Sequence, residues 1–96
     1  MMIVLTYDVN VSESTGAARL RKVSRLCEQY GVRVQNSVFE LLLDPAQLII
    51  IKKHLEEIID PSLDSIRLYR LGKTYETKIE TMGRKCLIEQ GKTLIL

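Results

Sequence analysis

The sequence predicts an α+β domain of the ferredoxin-like, split βαβ type, with elements in the order β-α-β-β-α-β and an antiparallel sheet. Three observations predict it. Short β-branched runs open the chain, recur as a pair near residues 32–43 and return at 65–71. Two segments with helical apolar spacing separate them, each bounded by stop signals. The pair near 32–43 is too close-set to hold a crossover helix, so those two strands form a hairpin.

The first strand is Met2–Asp8. Ile3, Leu5 and Tyr7 fall on one face and Val4, Thr6 and Asp8 on the other. The run carries Asp8 to the sheet edge, beside the polar loop Val11-Ser12-Glu13-Ser14-Thr15-Gly16. A carboxylate there suits a metal or catalytic group, and it equally suits an Asp that caps a turn. The first helix is expected from Thr15 to Tyr30, with Gly31 as its C′ glycine. Leu20, Val23, Leu26, Cys27 and Tyr30 form its buried stripe. Arg19, Lys22 and Arg25 are expected on the opposite side, with Arg21 in register with Arg25. That face is either solvated or phosphate-binding.

Val32–Gln35 and Ser37–Leu43 are expected as two strands around a bend at Asn36, a residue that tolerates left-handed backbone. Asp44-Pro45 supplies an N-cap and a proline at the first helical position. The second helix runs from Pro45 to Ile59 and buries Leu48, Ile51, Leu55, Ile58 and Ile59. Ser65–Leu71 is the fourth strand. Residues 1–72 thus make one ferredoxin-like domain. Residues 73–96 form a tail, with a fifth strand expected over Tyr75–Met82 and a short sixth at Lys92–Leu96. Two helices cannot cover both faces of the sheet. A homodimer through the open face, with the tail sealing the partner's edge, is the economical solution.

Composition narrows the function. The 96 residues carry a net charge of +2, unevenly spread: residues 40–64 hold two Lys/Arg against six acids, while 65–96 hold seven against three. If the basic ends meet, they offer a face to a polyanion. No run is long enough to span a membrane, and no secretory leader opens the chain, so a cytoplasmic protein is expected. Cys27 and Cys86 lack CxxC spacing and His54 is a lone histidine, which argues against zinc.

Tyr7-Asp8, Arg-Leu-Arg-Lys-Val at 19–23, Gly31 and Arg33-Val34-Gln35-Asn36-Ser37-Val38-Phe39-Glu40 together resemble the second CRISPR-associated protein family. This is the small partner of the spacer integrase. Helix lengths, Arg70-Leu71-Gly72 and the tail extend the resemblance over the whole chain. It implies a homodimer, a metal-dependent endonuclease on RNA or DNA, and a duplex-DNA-binding bridge for the integrase subunit during spacer acquisition. It implies Asp8 as the catalytic, metal-binding acid for Mg²⁺ or Mn²⁺. By position, Tyr7, Arg33, Ser37 and Phe39 match the motif residues near the dimer cleft, and Arg19, Arg21 and Lys22 match the basic helix start. Val9-Asn10-Val11 lacks the further acid that some members carry there. One carboxylate per chain is too few for Mg²⁺, so two Asp8 side chains would have to meet near the dyad. The alternative outside the family is a non-catalytic regulatory or ligand-binding domain of the same fold.

Overall fold

The computed structural model describes residues 1–12 and 14–83. The elements are β1 (Met2–Asp8), α1 (Gly16–Glu28), β2 (Gly31–Gln35), β3 (Val38–Leu42), α2 (Pro45–Ile58) and β4 (Ser65–Gly72), followed by a 3-10 turn at Tyr75–Thr77. The four strands form one antiparallel sheet in the order β2-β3-β1-β4. The ferredoxin-like architecture expected from the element order is therefore present.

β1 lies inside the sheet, and its alternation decides what faces where. Ile3, Leu5 and Tyr7 are buried, joining Phe39 and Leu41 of β3, Leu20, Val23, Leu26 and Cys27 of α1, and Leu48, Ile51 and Leu55 of α2 in one core. Both helices thus cover the same face. On the other face Val4 pairs with Glu40 and Tyr69, and Thr6 pairs with Val38 and Arg67. Tyr69 remains 46% exposed there. This is the open face that two helices leave behind.

α2 begins as its sequence requires. The Asp44 carboxylate accepts from the Gln47 N–H at 2.7 Å, and Gln47 Oε1 accepts from the Asp44 N–H at 3.0 Å. With Pro45 at the first helical position, this reciprocal cap stabilises the helix by about 1 kcal/mol. Ile58 and Ile59, expected in the core, are only partly buried at its margin.

Three expectations change. α1 stops at Glu28 rather than Tyr30, and Gly31 is not its C′ glycine but the first residue of β2. The reason is close approach: a Cβ on Gly31 would fall 1.9 Å from the Glu40 carbonyl oxygen. The bend at Asn36 is present but needs no left-handed residue. An irregularity in pairing between Arg33 and Gln35 absorbs it, and Arg33 Nε donates to the Asn36 carbonyl at 2.8 Å. The fifth strand is absent among the described residues. Gly72, at φ +79°, turns the chain out of β4. Local bonds then satisfy the backbone: Lys78 N–H donates to the Tyr75 carbonyl and Lys78 Nζ to the Leu71 carbonyl at 2.8 Å. The sixth strand expected at Lys92–Leu96, with Cys86, lies outside the described residues.

Candidate functional site at the end of the first strand

Asp8 is the last residue of β1, pairs with Ser65 of β4, and is exposed on the open-face side of the sheet. β3 no longer pairs with β1 beyond Thr6. One further bond continues the contact, from the Tyr7 N–H to the Ser37 carbonyl at 2.9 Å. Ser37, in the β2–β3 turn, therefore sits beside the Asp8 end, whereas Arg33 lies in β2, on the far side of β3 from β1. The guanidinium of Arg33 donates to Asn36 Oδ1 at 3.1 Å and lies 5.8 Å from the centre of the Phe39 ring. The loop after Asp8 is closed on itself, with Asn10 Oδ1 accepting from both the N–H and the hydroxyl of Ser12.

A buried polar cluster lies behind Asp8. The Tyr7 hydroxyl donates to Asp64 Oδ2 at 2.5 Å. Arg19 approaches the same carboxylate through Nε at 2.7 Å and a terminal nitrogen at 3.2 Å. The Asp60 N–H donates to it at 3.0 Å, so Asp64 accepts four hydrogen bonds. Arg19 also donates to Thr15 Oγ1. Burial alone would raise the Asp64 carboxyl, but the Arg19 bonds, the Tyr7 hydroxyl and the Asp60 N–H outweigh it and hold the group below its ordinary value. Burial, reinforced by Asp64, pushes the Tyr7 phenol up to about 12, so it stays a donor.

This geometry corrects the expected placement of Arg19. Arg19 is not on the solvent side of α1: it is 9% exposed and committed to Asp64. Its position fits the buried stripe of Gly16, Leu20, Val23 and Cys27, and a cation placed there signals a buried acid elsewhere. Tyr7 and Phe39, expected at the cleft, are buried at 2% and 0%. Phe39 is a core residue that supports Arg33 from beneath. Arg21, Lys22 and Arg25 are exposed. They stand at i, i+1 and i+4, so the exposed cationic stripe is real but does not include Arg19. Arg84 and Lys85 lie outside the described residues. Asp64 carries no motif signal in the sequence, where only its place just before β4 marks it. Among the described residues no three His, Cys, Asp or Glu side chains stand close enough to hold a metal ion.

The fold and this site define a small ferredoxin-like protein with an exposed acid at the end of its first strand, a cationic helix stripe and an uncovered sheet face. The pattern of the family described as "CRISPR associated protein Cas2" matches residues 1–79. The chain belongs to the Cas2 family. It is 48% identical to "CRISPR-associated endoribonuclease Cas2 3" of Rhodospirillum rubrum, over 99% of this chain and 100% of that protein. It is likewise 48% identical to "CRISPR-associated endonuclease Cas2" of Halalkalibacterium halodurans, over 99% of each. The crystal structure of Streptococcus pyogenes Cas2 superposes with a TM-score of 0.81 at 52% identity, covering 86% of this chain and all of that one. A hypothetical protein from Thermus thermophilus follows at TM-score 0.74 and 28% identity, covering 92% of this chain and 96% of that one. No helix among the described residues is long and apolar enough to cross a membrane.

Proposed function

We propose that this chain is a cytoplasmic endonuclease that hydrolyses phosphodiester bonds in RNA or DNA, working as a homodimer with Asp8 as its reacting acid. One observation carries this reading. Asp8 is exposed at a strand end, on the open face, while Tyr7, Arg19 and Asp64 behind it are bonded to one another in the buried cluster. The names of the two relatives above supply the reaction class.

A homodimer through the open face brings a second Asp8 within reach. Two carboxylates with backbone carbonyls and waters then meet the oxygen preference of Mg²⁺ or Mn²⁺. When bound, such an ion polarises the scissile phosphate and lowers the pKa of a water. Ser37, beside Asp8, and Arg33, across β3 from it, are suited to orient the nucleic-acid backbone. The same dimer carries Arg21, Lys22 and Arg25 twice. That is enough cationic surface for a duplex-DNA scaffold, which a CRISPR integrase subunit would use in spacer acquisition.

The deciding experiment is a cleavage assay of Asp8→Asn against single-stranded RNA and duplex DNA, with Mg²⁺, Mn²⁺ or a chelator. Divalent-dependent cleavage should disappear while thermal stability stays near wild type. Cleavage at the wild-type rate would make Asp8 a turn residue. Sedimentation should report about twice the 11.0 kDa of one chain, and a monomer at micromolar concentration would remove the dimer.

A further inference from the structure

We propose that Asp64 is a positioning residue for Asp8, acting through the Tyr7 hydroxyl. The inference rests on the reading of Asp8 as the reacting acid, and it starts from how weakly the end of β1 is otherwise held. From Ile3 to Thr6, β1 pairs with β3 on one side and with β4 on the other. Beyond Thr6 the β3 side falls away, leaving the single bond from Tyr7 N–H to Ser37. The direction in which Asp8 leaves the sheet then depends on β4.

Asp64 fixes that side. It immediately precedes Ser65, the partner of Asp8, and Tyr7 immediately precedes Asp8. The hydroxyl-to-carboxylate bond between Tyr7 and Asp64 therefore clasps the two strands one residue from the exposed acid. The clasp is rigid because the Asp64 side chain has no solvent exposure and is gripped from α1 by Arg19. It is gripped again from its own loop by the Asp60 N–H. Three segments, β1, α1 and the α2–β4 loop, are thereby referenced to one carboxylate. The Arg19 guanidinium, unavailable to phosphate, serves the reaction from behind.

Tyr7→Phe tests the proposal with little disturbance. It keeps the ring in the core and removes only the hydroxyl. Misplacing a reacting group by about 1 Å costs on the order of 100-fold in rate. Tyr7→Phe should therefore lower kcat for Mn²⁺-dependent cleavage of single-stranded RNA by roughly 10- to 100-fold, with KM within about twofold. The backbone amide resonances of Asp8 and Ser65 should shift and exchange faster with solvent, while those of Ile3 and Leu41 stay put. Asp64→Asn approaches the same clasp from its other end and should give the same split of kcat from KM. Wild-type kcat in Tyr7→Phe, with or without shifted amides, would overturn the proposal and leave the cluster a purely structural one. Asp8→Asn run beside it separates the two ideas. Full activity in Asp8→Asn removes the assignment of Asp8 itself, whereas an inactive Asp8→Asn beside a fully active Tyr7→Phe removes only the positioning role.

Discussion

Replacing Asp64 by Ala should be among the most damaging single changes in the chain. The carboxylate accepts from Tyr7, twice from Arg19 and from the Asp60 N–H. Its loss strands a guanidinium that is 9% exposed. Breaking one partner out of a buried pair costs about 3–5 kcal/mol, because the remaining charge is desolvated without compensation. A domain of this size has a total stability of only about 5–15 kcal/mol, so the variant should sit near the edge of folding. Urea unfolding at pH 7 measures it. With a slope of about 1–3 kcal/mol per molar, the midpoint should fall by roughly 1–5 M. The triple change Tyr7→Phe, Arg19→Met and Asp64→Leu should recover most of the loss, since apolar replacement of a whole buried pair is often neutral or stabilising. The pH dependence has a definite sign. Asp64 is held below its ordinary value in the fold, so on acidification the unfolded chain takes up the proton first. The stabilisation is complete above the ordinary Asp value of about 3.9 and drains away as pH falls toward the lower folded value. Asp64→Ala should lack that acid-side loss. A destabilisation under about 1 kcal/mol, which is the scale of an exposed ion pair, would refute the cluster as a solution feature.

Three further outcomes follow from the same geometry. Changing Arg21, Lys22 and Arg25 to Ala should weaken unrelated DNA duplexes by similar factors; if each contacts one phosphate, it should reduce the slope of log affinity against log salt by about 2.7. An unchanged slope would mean a merely solvated face. Glu40 stands on the open face between Val4 and Val32, and burial raises its carboxyl. Its ionisation therefore works against the fold as pH rises above the ordinary Glu range, and Glu40→Gln should gain stability at pH 7 in thermal melts. Burial pushes the Cys27 thiol up to about 12, so in a Cys86→Ser variant an aromatic disulfide reagent at pH 8 should leave Cys27 unmodified until urea unfolds the chain.

Much of this fold is legible because its signals are local. Met2–Asp8 is a short apolar, β-branched run that ends in a carboxylate, and Asp44-Pro45 announces a helix start through one side chain and one missing N–H. The misreadings come from forces that act across the chain. Gly31 looks like a helix stop, yet it is required by the carbonyl of Glu40, nine residues on and across a strand pair. Tyr75–Met82 alternates like a strand, but alternation specifies a strand only where an edge receives it, and local turns satisfy Tyr75–Thr77 instead. Arg19 is the instructive case. Counted as charge, it belongs with Arg21, Lys22 and Arg25. Counted by helical period, it falls with Leu20 and Val23, and only a carboxylate 45 residues away makes that burial tolerable. Asp8 itself was legible as an acid at a strand end. What holds it there was not, because Asp64 declares itself only once Tyr7 and Arg19 are seen to converge on it.

The two roles of β1 impose a constraint that the buried cluster meets. Tyr7 must point into the core and Asp8 out of it, and the period of a strand is two. A slip of one residue would exchange them, placing an unpaired carboxylate among Leu20 and Phe39 and a phenol on the open face. The pairing with β4 is regular from Ile3 to Asp8, and its one irregularity lies between Met2 and Ile3, at the opposite end. Mismatch between the strands is thus released away from Asp8. The buried cluster is tied to this register, since a slipped β1 would leave the Asp64 carboxylate without the Tyr7 hydroxyl. A core interaction and an exposed acid are in this way tied to the same register, so a change that shifts one shifts the other.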